Sequence, residues 1–176
     1  MVIVNILFIY LIFFSCNLST KKDTAIVSDT RETVTIYDYQ IKVSDLDKKN
    51  LRDSTLAYID TLYLYNRINW IYALNDSVHI YTPYSIKGDS LFLDNVYCSN
   101  LDIINLKFEN RIIELIKSDY DIKDSYDEEM YVYWNHDCGL VALYNYPWGV
   151  LVLFDRETMK GFAKETLYEY IISQEK

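Results

Sequence analysis

His136 and Cys138 stand two residues apart in the stretch WNHDCGL (residues 134–140), in a chain with two histidines and three cysteines among 176 residues. An imidazole that stabilises a neighbouring thiolate makes a nucleophile, so Cys138 activated by His136, or by the distant His79, is one chemistry these residue types allow. Tetrahedral zinc held by His79, Cys98, His136 and Cys138 is another. Structural zinc sites draw their ligands in close pairs such as Cys-x2-Cys, and only His136 and Cys138 are close here, so no metal site is expected. A third is calcium on the carboxylates of SDYDIKDSYDEE (residues 118–129); this stretch lacks the glycine turn and spacing of an EF-hand loop and reads as a solvated loop. The sequence contains no glycine-rich phosphate loop and no G-x-S-x-G elbow, and no cofactor is expected.

The elements around WNHDCGL decide what it can do. MYVYWNHDCGLVALYNYPWGVLVLFD (residues 130–155) reads as three strands separated by NHDCG and NYPWG, each break carrying a glycine that accepts positive φ. Apolar residues fall on both faces of these strands, which predicts a meander covered on both sides. WNHDCGL is then a bend, and Gly139 accounts for it. Upstream, TVTIYDYQIKV (residues 33–43) is rich in β-branched and aromatic residues and reads as a strand. Ser44 with Asp47 has the capping-box relation, and Leu51, Thr55, Tyr58, Leu62 and Tyr65 recur at helical spacing, which predicts an amphipathic helix ending near Arg67. Breaks at NDS and KGD within residues 69–98 predict two hairpins. Ser99 with Asp102 repeats the capping pattern, and Ile104, Phe108, Ile112 and Leu115 line one face of a second predicted helix. A last helix from about Thr158 sets Met159, Ala163, Leu167 and Ile171 against the meander. The expected class is α+β: a single small domain over residues 33–176, an antiparallel sheet with a C-terminal three-strand meander, packed by two or three helices.

Bulk composition bounds the partners. An apolar fraction of 51% with 24% charged residues is globular composition. The net charge of −9 repels nucleic acid, which needs a basic surface to displace its counterions, and disfavours adsorption of the folded surface to anionic lipid. Membrane attachment must come from a separate device.

The amino terminus supplies one. MVIVNILFIYLIFFS (residues 1–15) has no charged side chain, and a helix of that length spans about 22 Å, short of the roughly 30 Å hydrocarbon core. It reads as a secretion signal. The following FFSCN resembles the lipobox of bacterial lipoproteins, with small Ser15 before Cys16. The resemblance covers the leader and this cysteine only. It implies removal of residues 1–15, acylation of Cys16 as the new first residue, and a membrane partner reached through the lipid anchor. Two or three acyl chains, at ~0.8 kcal/mol per buried CH₂, make that anchor stable. Residues 16–32 form the lipidated cysteine and a polar tether with a reach on the order of 20 Å. Lipoproteins with aspartate after the cysteine stay in the inner membrane; Asn17 implies the outer membrane of a bacterial cell envelope. Export also places Cys98 and Cys138 in an oxidising compartment. A disulfide between them would close a loop of about 40 residues and stabilise the fold by roughly 4 kcal/mol; two separate buried thiols are the alternative.

Eighteen tyrosines, many as Y-x-Y (Tyr37/Tyr39, Tyr63/Tyr65, Tyr131/Tyr133, Tyr144/Tyr146), place ring pairs on one face of a strand. Such rings either fill the core or form a surface for a protein or a sugar. With no paired nucleophile and base in the sequence, the expected function is a membrane-anchored, non-enzymatic binding module for a protein or surface glycan. One alternative is an immunity or inhibitor protein that neutralises a basic toxin or hydrolase. The other is a hydrolase, for which no catalytic residue is nominated.

Overall fold

A computed structural model describes residues 26–27, 31–41, 51–64, 67–74, 84–93, 95–122 and 129–175. The leader and Cys16, the Ser44/Asp47 cap, Tyr65, the NDS break, His79 and residues 123–128 of the acidic stretch lie outside the described residues.

The described chain is mostly strand, and the α+β expectation is corrected to an antiparallel β fold with one short C-terminal helix. The strands are β1 (Ile26–Val27), β2 (Glu32–Gln40), β3 (Leu51–Leu64), β4 (Arg67–Leu74), β5 (Tyr84–Lys87), β6 (Ser90–Leu93), β7 (Val96–Phe108), β8 (Arg111–Tyr120), β9 (Met130–Asn135), β10 (Gly139–Asn145) and β11 (Val150–Arg156). Their hydrogen-bonded order is β1-β3-β2-β11-β10-β9-β8-β7-β6-β5-β4, and β4 also pairs with β3. From β2 onward every strand is therefore the antiparallel neighbour of the next, and β11 returns to pair with β2, giving a curled up-and-down sheet.

Two of the expected helices are strands. Among the described side chains of β3 the buried ones are Ala57 and Ile59, two apart, while Leu51, on the expected helical stripe, is 47% exposed. Period 2 wins because β-branched and aromatic residues fit a pleated, half-buried surface. The second expected helix is the β7–β8 hairpin. Phe108 pairs with Arg111 across a two-residue loop in which Glu109 takes φ 53°, a turn with no glycine to announce it. The Ser99/Asp102 pair sits inside β7, where the Asp102 carboxylate accepts the N–H of Ile103. The strand at residues 33–43 corresponds to β2, KGD is the β5–β6 turn, and the three-strand meander is β9–β10–β11.

The C-terminal helix exists. A 3-10 turn (Glu157–Met159) and a π-helical stretch (Phe162–Leu167) lead into α1 (Tyr168–Gln174). Asp155 starts it: its carboxylate accepts the N–H groups of Gly161 and Ala163, which the helix itself leaves unpaired.

Two clusters form the core, one on each face of the sheet. On the concave face, Val34, Ile36, Ala57, Ile59, Trp70, Ile86, Leu91, Leu93, Cys98, Val132, Trp134, Leu140 and Phe154 meet from strands all round the curl. On the convex face, Tyr39, Ile104, Leu115, Tyr133, Tyr144, Leu151 and Leu153 pack against Phe162, Leu167, Tyr168 and Ile171 of the C-terminal helix. This two-sided cover is why β9–β11 are apolar on both faces.

Candidate functional site

The two bends of the meander share one construction. Asn135 Oδ1 accepts the N–H of Cys138 (2.6 Å) and Asn145 Oδ1 accepts that of Trp148 (3.1 Å); in each case a glycine at positive φ, Gly139 or Gly149, lies four residues after the asparagine. WNHDCGL is thus the counterpart of YNYPWGV, an asparagine-braced turn whose Asn-x3-Gly spacing is legible in both stretches. The glycines mark these turns in the sequence; the bracing by the asparagines emerges from the hydrogen bonds.

This bend separates His136 from Cys138. His136 Nε2 lies 3.4 Å from an Asp89 carboxylate oxygen in the β5–β6 turn, and its ring meets the edge of Trp134. Cys138 turns to the helix side, its sulfur 3.4 Å from that of Met159, while Arg156 Nη1 donates to its carbonyl. Burial raises the pKa of the Cys138 thiol, with Arg156 only partly offsetting it, so the thiolate a nucleophile needs is disfavoured. Cys98 is fully buried in the concave cluster, and burial pushes its thiol up to about 12. Both thiols are free and lie in different clusters. Among the described residues no group of three or more His, Cys, Asp or Glu could hold a metal ion.

One tyrosine of each described Y-x-Y pair is core. Tyr39, Tyr133 and Tyr144 are buried under the C-terminal helix, and Tyr39 packs on Tyr168 with ring centres 4.8 Å apart. Tyr131 and Tyr146 stack at 4.7 Å nearer the surface, with Lys117 Nζ 3.7 Å from the Tyr131 ring centre.

Among the described residues, a groove of about 720 Å³ across the concave side of β7 and β8 is open to a ligand. At its head a β-bulge in β7 between Asn100 and Asp102 inserts Leu101. The wall there is fixed by a chain of hydrogen bonds: Trp134 Nε1 donates to Ser118 Oγ, Ser118 Oγ to Asn100 Oδ1, and Asn100 Nδ2 to the Asp89 carbonyl. Ile103 pairs across the strands with Ile116 to form the floor. Leu101 and Ile103 are 53% and 59% exposed, although both are large and apolar. Asp89, Asp102 and Glu114 stand around them with His136, and among the described residues that line the groove there is no Lys, Arg, Ser, Thr or Cys. What its described lining offers is apolar contact area and negative charge. A second depression of about 410 Å³ beside Glu32 and Arg156 is occupied by the polar contacts of those two with each other and with Thr158. Compared with known proteins, the chain matches no family model, no curated protein and no solved structure.

Proposed function

We propose that this protein is a lipid-anchored lipoprotein of the bacterial outer membrane acting as a non-enzymatic binding module, and that the groove across β7 and β8 receives a protein partner. The observation that carries the site is the pair of exposed side chains Leu101 and Ile103 set beside the acidic residues Asp89 and Glu114 on a hydrogen-bonded sheet face. An apolar strip presented to solvent on a rigid support is characteristic of binding surfaces. Its charged surround, in a chain of net charge −9, favours a partner segment that combines apolar with basic side chains. Burial of Tyr39, Tyr133 and Tyr144 takes these rings away from a surface glycan, and the described lining of the groove holds no Phe, Tyr or Trp ring, which favours the protein partner. The anchor rests on Cys16 and its setting in FFSCN.

Photocrosslinking from position 103 in cells tests the reading. A single discrete protein adduct, lost when Asp89 and Glu114 are changed to lysine without loss of fold, supports it; crosslinkers at 101 and 103 that give no adduct sink it. A second reading, an immunity or inhibitor protein that neutralises a basic toxin or hydrolase, draws on the same charge. It requires association that weakens steeply with salt and abolishes the partner's activity.

A further inference from the structure

The strand registers place the tip of the β7–β8 hairpin at the end of the sheet where the chain enters. Val34 at the start of β2 pairs with Arg156 at the end of β11, Gly139 at the start of β10 pairs with Asn135 at the end of β9, and Trp134 pairs with Ile116. Residues 111–115 of β8 therefore run past the end of β9, on the order of 15 Å beyond it. Ile26 and Val27 lie past Glu32 at the same end, paired with Tyr63 and Leu62. The tip differs in charge from the rest of this acidic chain. It carries Lys107 and Arg111 against the single acid Glu109, and Ile112, opposite Lys107 in the ladder, is 71% exposed. It is also firmly mounted: Phe108 packs edge-on against Phe162 of the C-terminal helix, and the Arg111 guanidinium lies over the Phe108 ring.

We propose that this tip is a second membrane contact, with Ile112 entering the headgroup boundary of an anionic phospholipid surface and Lys107 and Arg111 meeting its phosphates. The inference rests on the reading of Cys16 as the lipid anchor. Cys16 stands only ten residues before Ile26 of β1, which lies at the end of the sheet that carries the tip, so an anchor there brings that end to the bilayer. Basic residues and an apolar side chain are the pair of features that bind such a surface. Asp102 and Glu114 sit farther up the hairpin and are repelled by anionic headgroups, which keeps the groove facing water. The contact orients the domain as well as holding it.

The test uses the full lipidated chain carrying Ile112→Trp in phosphatidylethanolamine–phosphatidylglycerol vesicles, with and without brominated acyl chains. Bromine should remove most of the fluorescence added at position 112 and leave Trp148, on the turn at the opposite end and 60% exposed, unquenched. Adding Lys107→Glu and Arg111→Glu should abolish the quenching. Equal fluorescence at position 112 in both vesicle types, with Cys16 shown by mass spectrometry to be acylated, overturns the tip contact and leaves the anchor standing. An unacylated Cys16 in a chain that does not sediment with vesicles overturns both.

Discussion

The indole of Trp70, on β4, lies against the backbone of Gly139 at the start of β10, so closely that a β-carbon built on Gly139 would stand 2.8 Å from Trp70 Cε2. These strands are not neighbours in the sheet, so the contact spans the concave interior. Gly139 thus meets two demands, a φ of +65° and the absence of a side chain beneath an indole.

Gly139→Ala should destabilise the protein by about 2–4 kcal/mol, the sum of the left-handed backbone cost and an overpacked interior. Gly88→Ala, at φ +58° with nothing within 4 Å of the new carbon, should cost only about 1 kcal/mol. Urea midpoints read both. Adding Trp70→Leu to Gly139→Ala should give a loss smaller than the sum of the single losses; additive losses would mean that the indole does not restrict position 139.

Asp155 joins the last strand to the helix that covers the convex core. Asp155→Ala should cost about 1–2 kcal/mol through the unpaired N–H groups of Gly161 and Ala163, and Asp155→Asn less, because one carboxamide oxygen remains to accept. Thermal unfolding measures the loss. Limited proteolysis locates it, since cleavage in residues 157–175 should accelerate before cleavage elsewhere.

Stability at acid pH should depend on Glu32. Its burial opposes ionisation, but hydrogen bonds from the Arg156 side chain and from Thr158, together with the Arg156 charge, outweigh that and hold its pKa below the ordinary value. A lowered folded-state pKa contributes stability that is complete above the unfolded-state value of about 4.3 and is lost as pH falls through the folded value. Glu32→Gln should therefore be less stable than the parent at neutral pH, by about 1–2 kcal/mol, with the gap closing as pH falls below the unfolded-state value and through the lowered folded one. Urea titrations at several pH values decide it; a gap that stays constant would mean the carboxylate contributes nothing by being charged.

The two thiols should differ in reactivity. A thiol reagent at mildly alkaline pH should modify half-buried Cys138 slowly and Cys98 only on unfolding, because burial holds the Cys98 thiol at about 12. Non-reducing peptide maps should recover the two cysteine peptides separately. A recovered Cys98–Cys138 peptide pair would require the two clusters that hold these residues to open.

Local signals were sufficient where the deciding interactions are local. NHDCG, NYPWG and KGD marked real turns through glycine's tolerance of positive φ, and Met159, Ala163, Leu167 and Ile171 marked the helix that covers the meander. The composition of His136, Asp137 and Cys138 could suggest chemistry but not direction; the bend sends His136 to Asp89 and Cys138 to Met159. Residues 51–64 and 99–117 have a helical pattern in the sequence and are strands in the fold, because apolar residues on both sides of a curled strand satisfy a 3.6-residue period as readily as a 2-residue one. What separates the two is the partner strand. β2 finds β11 more than a hundred residues away, at Val34 and Arg156, and Trp70 finds Gly139 across the interior. The groove belongs to the same class of fact: Leu101, Ile103 and Glu114 become one surface with Asp89 and His136 only when β5–β6, β7–β8 and β9–β10 are brought side by side. By itself the sequence determined the glycine-bearing turns, the acidic charge, the C-terminal helix and the leader pattern, because each depends on neighbours along the chain. The sheet's order, its curl and the face left open were decided by tertiary structure, because hydrogen-bonded ladders pair residues that no local pattern relates.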